Sequence, residues 1–272
     1  MRIAITLCPK KASFAPMLFT GRMEHGIHRA AELDCDAVEL HVQNPALIDT
    51  VATAELIASL GLTVTGIGTG QAYYEEGLRI SDTDTKVREA AIRRLRVQVD
   101  FAQQLGGAAV IIGGMRGKLY GSPGDNTWSE QRQASIEGTR VAADYAAERG
   151  VRVLIEPINR YETNFINSIA EGLEYLDEID HDNVGLLADT FHMNIEEVSL
   201  ADSILAARDR LAYMHLVDSN RRAAGLGHTD FKAVIGALHE IEYDGPLCAE
   251  VIPLPDDETA ARQHVEFVRA NW

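Results

Sequence analysis

Four side chains in the second half of the chain are of the types that hold a cation. Glu156 closes the strand-like run of VRVLIEPINRYE, Asp189 follows VGLLA, His215 lies in LAYMHLVDSN and Glu250 follows PLCA. Each stands at the end of a short apolar run. Three carboxylates and an imidazole gathered on one rim would repel each other without a positive ion. Mostly hard oxygen with one nitrogen suits Mn2+, Mg2+ or Co2+, with Mn2+ the first choice, and Zn2+ also accepts this set. A single acid at a strand end reads as readily as a helix N-cap or a solvated loop charge. Four such ends on consecutive strands favour one metal centre instead.

The elements that must position these groups recur along the chain. Short apolar runs alternate with longer amphipathic stretches, the pattern of a parallel sheet with crossover helices. Eight strands are predicted: Arg2–Leu7, Ala37–His41, Thr63–Gly66, Ala109–Gly113, Arg152–Glu156, Val184–Asp189, Leu211–Val217 and Pro246–Val251. Helices are predicted over Asp84–Leu105, over Glu130–Arg149 with a stop at Gly150, and over Asp257–Arg269. An open doubly wound sheet would carry a glycine-rich phosphate loop after its first strand, and the segment there, CPKKASFAP, has none. With 272 residues and eight β–α units, the expected fold class is α/β, a (β/α)8 TIM barrel spanning residues 1–272 as a single domain. Residues two apart on a strand share a face, so Leu154 with Glu156, Leu187 with Asp189 and Cys248 with Glu250 should each point one way. The acids would then cap an apolar stack on the rim where this fold builds its active sites.

Charge and cysteine usage bound the partners. A formal net charge of −16 opposes nucleic acid and anionic membrane surfaces. Three cysteines, Cys8, Cys35 and Cys248, with no CxxC spacing, are no disulfide framework. The opening MRIAITLCPK lacks the apolar segment of a secretory leader, and no run approaches the roughly 18 apolar residues of a spanning helix. A cytoplasmic location is the expectation.

The stretches IEPINRYETNFINS, LLADTFHMNIEE, HLVDSNRRAAGLGHTDF and CAEV resemble the xylose-isomerase-like sugar isomerase and epimerase barrels, and within them the ketose 3-epimerase branch that includes D-tagatose 3-epimerases. IGTGQAY, Ile67 to Tyr73, and EPINRYETNFIN look most like 5-keto-L-gluconate epimerases, which act on keto-uronic acids. The resemblance implies a carbohydrate epimerase holding one divalent ion on Glu156, Asp189, His215 and Glu250, with Glu156 and Glu250 as the acid–base pair. It places Glu162, His192 and Arg221 on substrate oxygens. Its small-molecule partner would be a keto sugar or keto-uronate, and it implies a homo-oligomer, dimer or tetramer.

The chemistry so implied inverts C3, next to the ketone, by removing a proton from one face and returning one to the other through a cis-enediolate. Two carboxylates on opposite sides of a planar intermediate suffice for that. Taken alone, Arg221 would read as a loop arginine paired with Asp218, His192 as a structural histidine and Glu162 as a solvated charge. Three further residues are open on their own merits. Arg116, in IIGGMRGKLYG with Lys118, either meets a substrate carboxylate or is a solvated loop charge. His228 in GLGHTDF either lines the site or braces its loop. Phe14 either covers an apolar edge of the sugar or joins a surface cluster. An aldose–ketose isomerase, such as a hydroxypyruvate isomerase, would use the same metal and return the proton one carbon away. An abasic-site endonuclease would need more histidine ligands and a basic face. A non-catalytic sugar-binding barrel would not need an acid–base pair.

Overall fold

A computed structural model describes residues 1–11 and 16–272. Its strands are β1 (Arg2–Leu7), β2 (Ala37–His41), β3 (Thr63–Gly68), β4 (Ala109–Ile112), β5 (Val153–Ile155), β6 (Val184–Asp189), β7 (Leu211–His215) and β8 (Pro246–Ala249). They pair in parallel in sequence order and close on themselves, β1 pairing with both β2 and β8. Register slips by a residue between Val38 and Glu39 against β3, and between Leu186 and Leu187 against β7.

The helices are α1 (Met23–Glu32), α2 (Thr50–Ser59), α3 (Gly70–Glu76), α4 (Thr85–Gln104), α5 (Asn126–Ala147), α6 (Ile169–Ile179), α7 (Thr190–Glu196), α8 (Leu200–Ala207), α9 (Phe231–Glu240) and α10 (Asp257–Asn271). No helix among the described residues is long and apolar enough to cross a membrane. Their starts follow side-chain chemistry. Asp84, Asp230 and Asp256 accept from the first-turn N–H groups of α4, α9 and α10, and Ser168 with Glu171 forms a capping box on α6. The predicted helix over Glu130–Arg149 in fact begins at Asn126, and the chain leaves it through a left-handed Gly150 at φ +64°.

Two apolar cores result. The larger packs strands against helices. The smaller, Ala4, Ala37, Ile111, Leu154, Leu187, Tyr213 and Cys248, fills the barrel itself. Leu154, Leu187 and Cys248 are therefore inside, as the period of two requires, and the next inward position of each strand opens toward the C-terminal rim.

Candidate active site

A cavity of about 550 Å³ opens on that rim. Glu156 and Glu250 line it just beyond the ends of β5 and β8, three strands apart, with His215 from β7 and Glu39 and His41 from β2. Asp189, the last residue of β6, lies beneath, 1% exposed.

His215 ties the group together. Its Nδ1 lies 3.7 Å from Glu156 Oε1, 3.7 Å from Asp189 Oδ2 and 3.9 Å from Glu250 Oε2. None of these is a hydrogen bond. His215 Nδ1 and Asp189 Oδ2 are both fully buried with no hydrogen-bond partner. Buried polar atoms are almost always paired, so two orphans facing each other at this spacing mark a place for a shared third body. Asp189 also satisfies the bland expectation for a strand-end acid. Its Oδ1 accepts from Phe191 N at 2.7 Å and caps α7, which aims Oδ2 into the site.

A second histidine competes for the position beside the carboxylates. Glu156, Asp189, His192 and Glu250 each offer an atom within 4.8 Å of the others, close enough for one metal ion. Tautomers separate the two rings. Asn159 Nδ2 donates to His192 Nδ1 at 2.7 Å, and the amide is pinned because its Oδ1 accepts from Tyr161 N and its Nδ2 also meets Glu162. A neutral His192 then carries its proton on Nε2, 3.9 Å from Glu156 and Asp189, and presents a donor. Burial lowers the His192 pKa, which favours this neutral form. His215 is the reverse. Its Nε2–H donates to Glu39 Oε2 at 2.9 Å, which keeps a proton there and leaves Nδ1, facing the carboxylates, as the nitrogen where a cation would replace a proton. The residues present fit a divalent cation, and His215 fits it better than His192 does.

Glu39 was not among the expected site residues. It is fully buried and binds both His215 and, at 2.6 Å, His41. Burial alone would raise its pKa, but the charges and hydrogen bonds of His215 and His41 outweigh this and hold it far below the usual range. A signal was present: AVELH places an acid on the inward register of a strand buried along its length, at high cost unless paired. Burial, and then the neighbouring Glu250 charge, push Glu156 well above the ordinary carboxylate range. Burial opposes the charge on His215, yet Glu39, Asp189 and Glu250 together raise its pKa well above the usual value. Beneath the site, burial holds the Cys248 thiol protonated.

Arg221 spans the mouth. It donates to Glu162 Oε1 at 3.2 Å and to Glu250 Oε2 at 3.0 Å, and its guanidinium lies 4.6 Å from the Phe191 ring centroid. It does not pair with Asp218, whose carboxylate accepts instead from the N–H groups of Ser219, Gly227 and Thr229 and braces the loop. Arg221 reaches inward from a left-handed backbone at φ +60°. Glu162, His192 and Arg221 are thus brought to the cavity.

Two expected contacts are corrected. Arg116 is 1% exposed and does not line the cavity. Its guanidinium donates to the carbonyls of Glu156, Phe165 and Ile166 at 2.6, 3.0 and 3.2 Å, so no donor faces a ligand. The reason is that the 3₁₀ turn of Gly114–Arg116 carries the side chain under the β4 loop, while Lys118, two residues on, lines the cavity. His228 is likewise off the cavity wall, its Nδ1 bonded to Ser219 Oγ at 2.8 Å, bracing its own loop. Phe14 lies outside the described residues.

A closed eight-stranded parallel barrel with Glu156, Asp189, Glu250, His192 and His215 clustered on its C-terminal rim defines a TIM barrel with a polar, metal-sized centre. A family model described as Xylose isomerase-like TIM barrel matches residues 27–271, and the chain belongs to that family. It is 34% identical over 258 residues to an L-ribulose 3-epimerase of Methylomonas sp. (strain DH-1), covering 86% of each chain. It is 32% identical over 243 residues to a ketose 3-epimerase of Arthrobacter globiformis, covering 86% of this chain and 81% of that one. A crystal structure of D-allulose 3-epimerase from Methylomonas sp. in complex with D-allulose superposes with a TM-score of 0.81 at 29% identity, covering 100% and 98% of the two chains.

Proposed function

We propose that this chain is a divalent-metal-dependent epimerase that inverts C3 of keto sugars or keto-uronic acids. One observation carries the reading: the unpartnered His215 Nδ1 and Asp189 Oδ2 face each other between Glu156 and Glu250, which approach from different sides of the cavity. Glu156, Asp189, His215 and Glu250 would hold the ion. When bound, it supplies a Lewis acid that makes the proton beside the substrate carbonyl easier to remove.

The chain's own groups do the rest. One of Glu156 and Glu250 takes the C3 proton, leaving the electron pair in a planar enediolate. The other, protonated, returns a proton from the opposite face. A placed base of this kind contributes about 10²–10⁴-fold. The His192 Nε2–H donates to a substrate oxygen near the carbonyl, and the fixed donors of Arg221 hold a neighbouring one. The relatives named for ketose 3-epimerisation support the reaction type. Lys118 supports the extension to keto-uronates. It lines the cavity, half-buried, and forms no ion pair among the described residues, so its ammonium is free to meet a substrate carboxylate.

The test is a panel of D-allulose, L-ribulose and keto-uronates given to chelator-stripped and Mn2+-restored protein in heavy water, read by proton NMR. Deuterium entering C3 with formation of the epimer, dependent on the ion and lost in Glu156→Gln and Glu250→Gln, is expected. Deuterium at the adjacent carbon with an aldose product would make the enzyme an aldose–ketose isomerase instead.

A further inference from the structure

The N-terminal mouth of the barrel holds a second cavity, of about 540 Å³, on the far side of the interior core from the reaction site. Its chemistry is the opposite of the rest of the molecule. The chain carries a net −16, yet among the described residues no Asp or Glu lines this cavity, and Arg2 and Arg152 both do. Arg2 shares the inward face of β1 with Ala4, and Arg152, just before β5, shares that of Leu154. They enter the mouth from strands on opposite sides of the barrel.

The Arg152 guanidinium has a built seat. A Cβ on Gly185 of β6 would fall 2.9 Å from its Nη2 and 3.1 Å from its Cζ, so the glycine makes room for the group to lie against the strand. Neither Arg2 nor Arg152 forms an ion pair or side-chain hydrogen bond among the described residues. The nearby Arg210, by contrast, pairs with Asp177. Burial, and then the charge of Arg210, lower the pKa of Arg152, and no carboxylate offsets them. Arginine stays charged regardless.

We propose that this mouth is a binding site for a phosphoryl group carried on a small metabolite. Two guanidinium groups match the dianion of a phosphomonoester, whereas a lone carboxylate would leave one cation unbalanced. The amide of Gln104 adds a donor, and Ile57, Leu62 and Leu105 supply an apolar wall for the rest of the molecule. The volume falls in the range of small-ligand sites and exceeds what inorganic phosphate fills. Because Tyr213, Leu154 and the other interior residues separate the two cavities, such a ligand binds without competing with a sugar at the C-terminal rim.

Calorimetric titration of the intact protein with inorganic phosphate and with glucose 6-phosphate tests this. Saturable binding, tighter for the hexose phosphate, is expected in the presence and absence of a saturating keto sugar. Arg152→Ala and Arg2→Ala should each weaken it roughly tenfold or more, the loss of a charge-assisted contact. Arg2 is exposed, so its variant keeps the test intact if Arg152→Ala folds poorly. No saturable binding of either probe, binding unchanged in both variants, or displacement by the keto sugar would overturn the proposal.

Discussion

Glu39 on β2 and His215 on β7 meet across the barrel interior, Glu39 Oε2 to His215 Nε2 at 2.9 Å, with both side chains almost wholly out of water. That bond fixes a proton on Nε2 and turns His215 Nδ1, the nitrogen a cation would take, toward Glu156, Asp189 and Glu250. Glu39→Gln keeps an acceptor in place but removes the charge. Divalent-metal affinity, read by competition with a chromogenic chelator, should fall about 10–100-fold, the usual cost of losing such a support. An unchanged affinity would mean that His215 is oriented by something else.

Gly113, at the end of β4, is a steric support for Glu156. A Cβ there would fall 2.5 Å from Glu156 Oε2 and 3.2 Å from Ile158 Cδ1. The first of these atoms is the end of a side chain that can swing away, so Gly113→Ala should fold. The displaced carboxylate should lower kcat by roughly 100-fold, the scale for a misplacement of about 1 Å. Steady-state kinetics beside a thermal melt separates this from unfolding.

Arg116 and Lys118 should behave oppositely. Arg116→Ala strands the buried carbonyls of Glu156, Phe165 and Ile166, and should cost about 3 kcal/mol of stability in denaturant unfolding. Lys118→Met should leave stability within about 0.5 kcal/mol. It should raise KM for a keto-uronate roughly tenfold or more while sparing that for a neutral ketose. Equal effects on the two substrates would remove Lys118 as a carboxylate partner.

His264 on α10 makes the fold sensitive to acid. Its Nε2 bonds Leu247 O at 3.2 Å, its Nδ1 is buried without a partner, and burial lowers its pKa to about 4. The unfolded chain binds this proton near pH 6.5, the folded one only near 4, so the unfolded state gains protons in between. Stability is full above about pH 6.5 and falls as pH drops toward 4, by about 3 kcal/mol from this group. His264→Phe should flatten that part of the profile in unfolding measured from pH 7 to 4.

The apolar runs made all eight strands legible, and β1, β2 and β6 begin and end where those runs do. A strand buried on both faces needs a continuous apolar run, and that leaves a plain trace. The period of two likewise placed Leu154, Leu187 and Cys248 inside and their acidic neighbours on the rim. Glu39 escaped notice because its partners, His41 apart, are far along the chain: His215 is 176 residues away. Arg116 and Lys118 could not be told apart in sequence. Both are cations on one loop, and only the turn at Gly114–Arg116 decides which faces the cavity.

Local patterning alone determined the barrel, the rim and the residue types gathered there, because side-chain period and apolar run length are properties of neighbouring residues. Tertiary structure decided which histidine turns its ligating nitrogen to the carboxylates and which presents a donor, which cation faces the cavity, and that a basic cavity lies at the other mouth. Those depend on hydrogen bonds and close approaches between strands distant in sequence, and no local pattern encodes them.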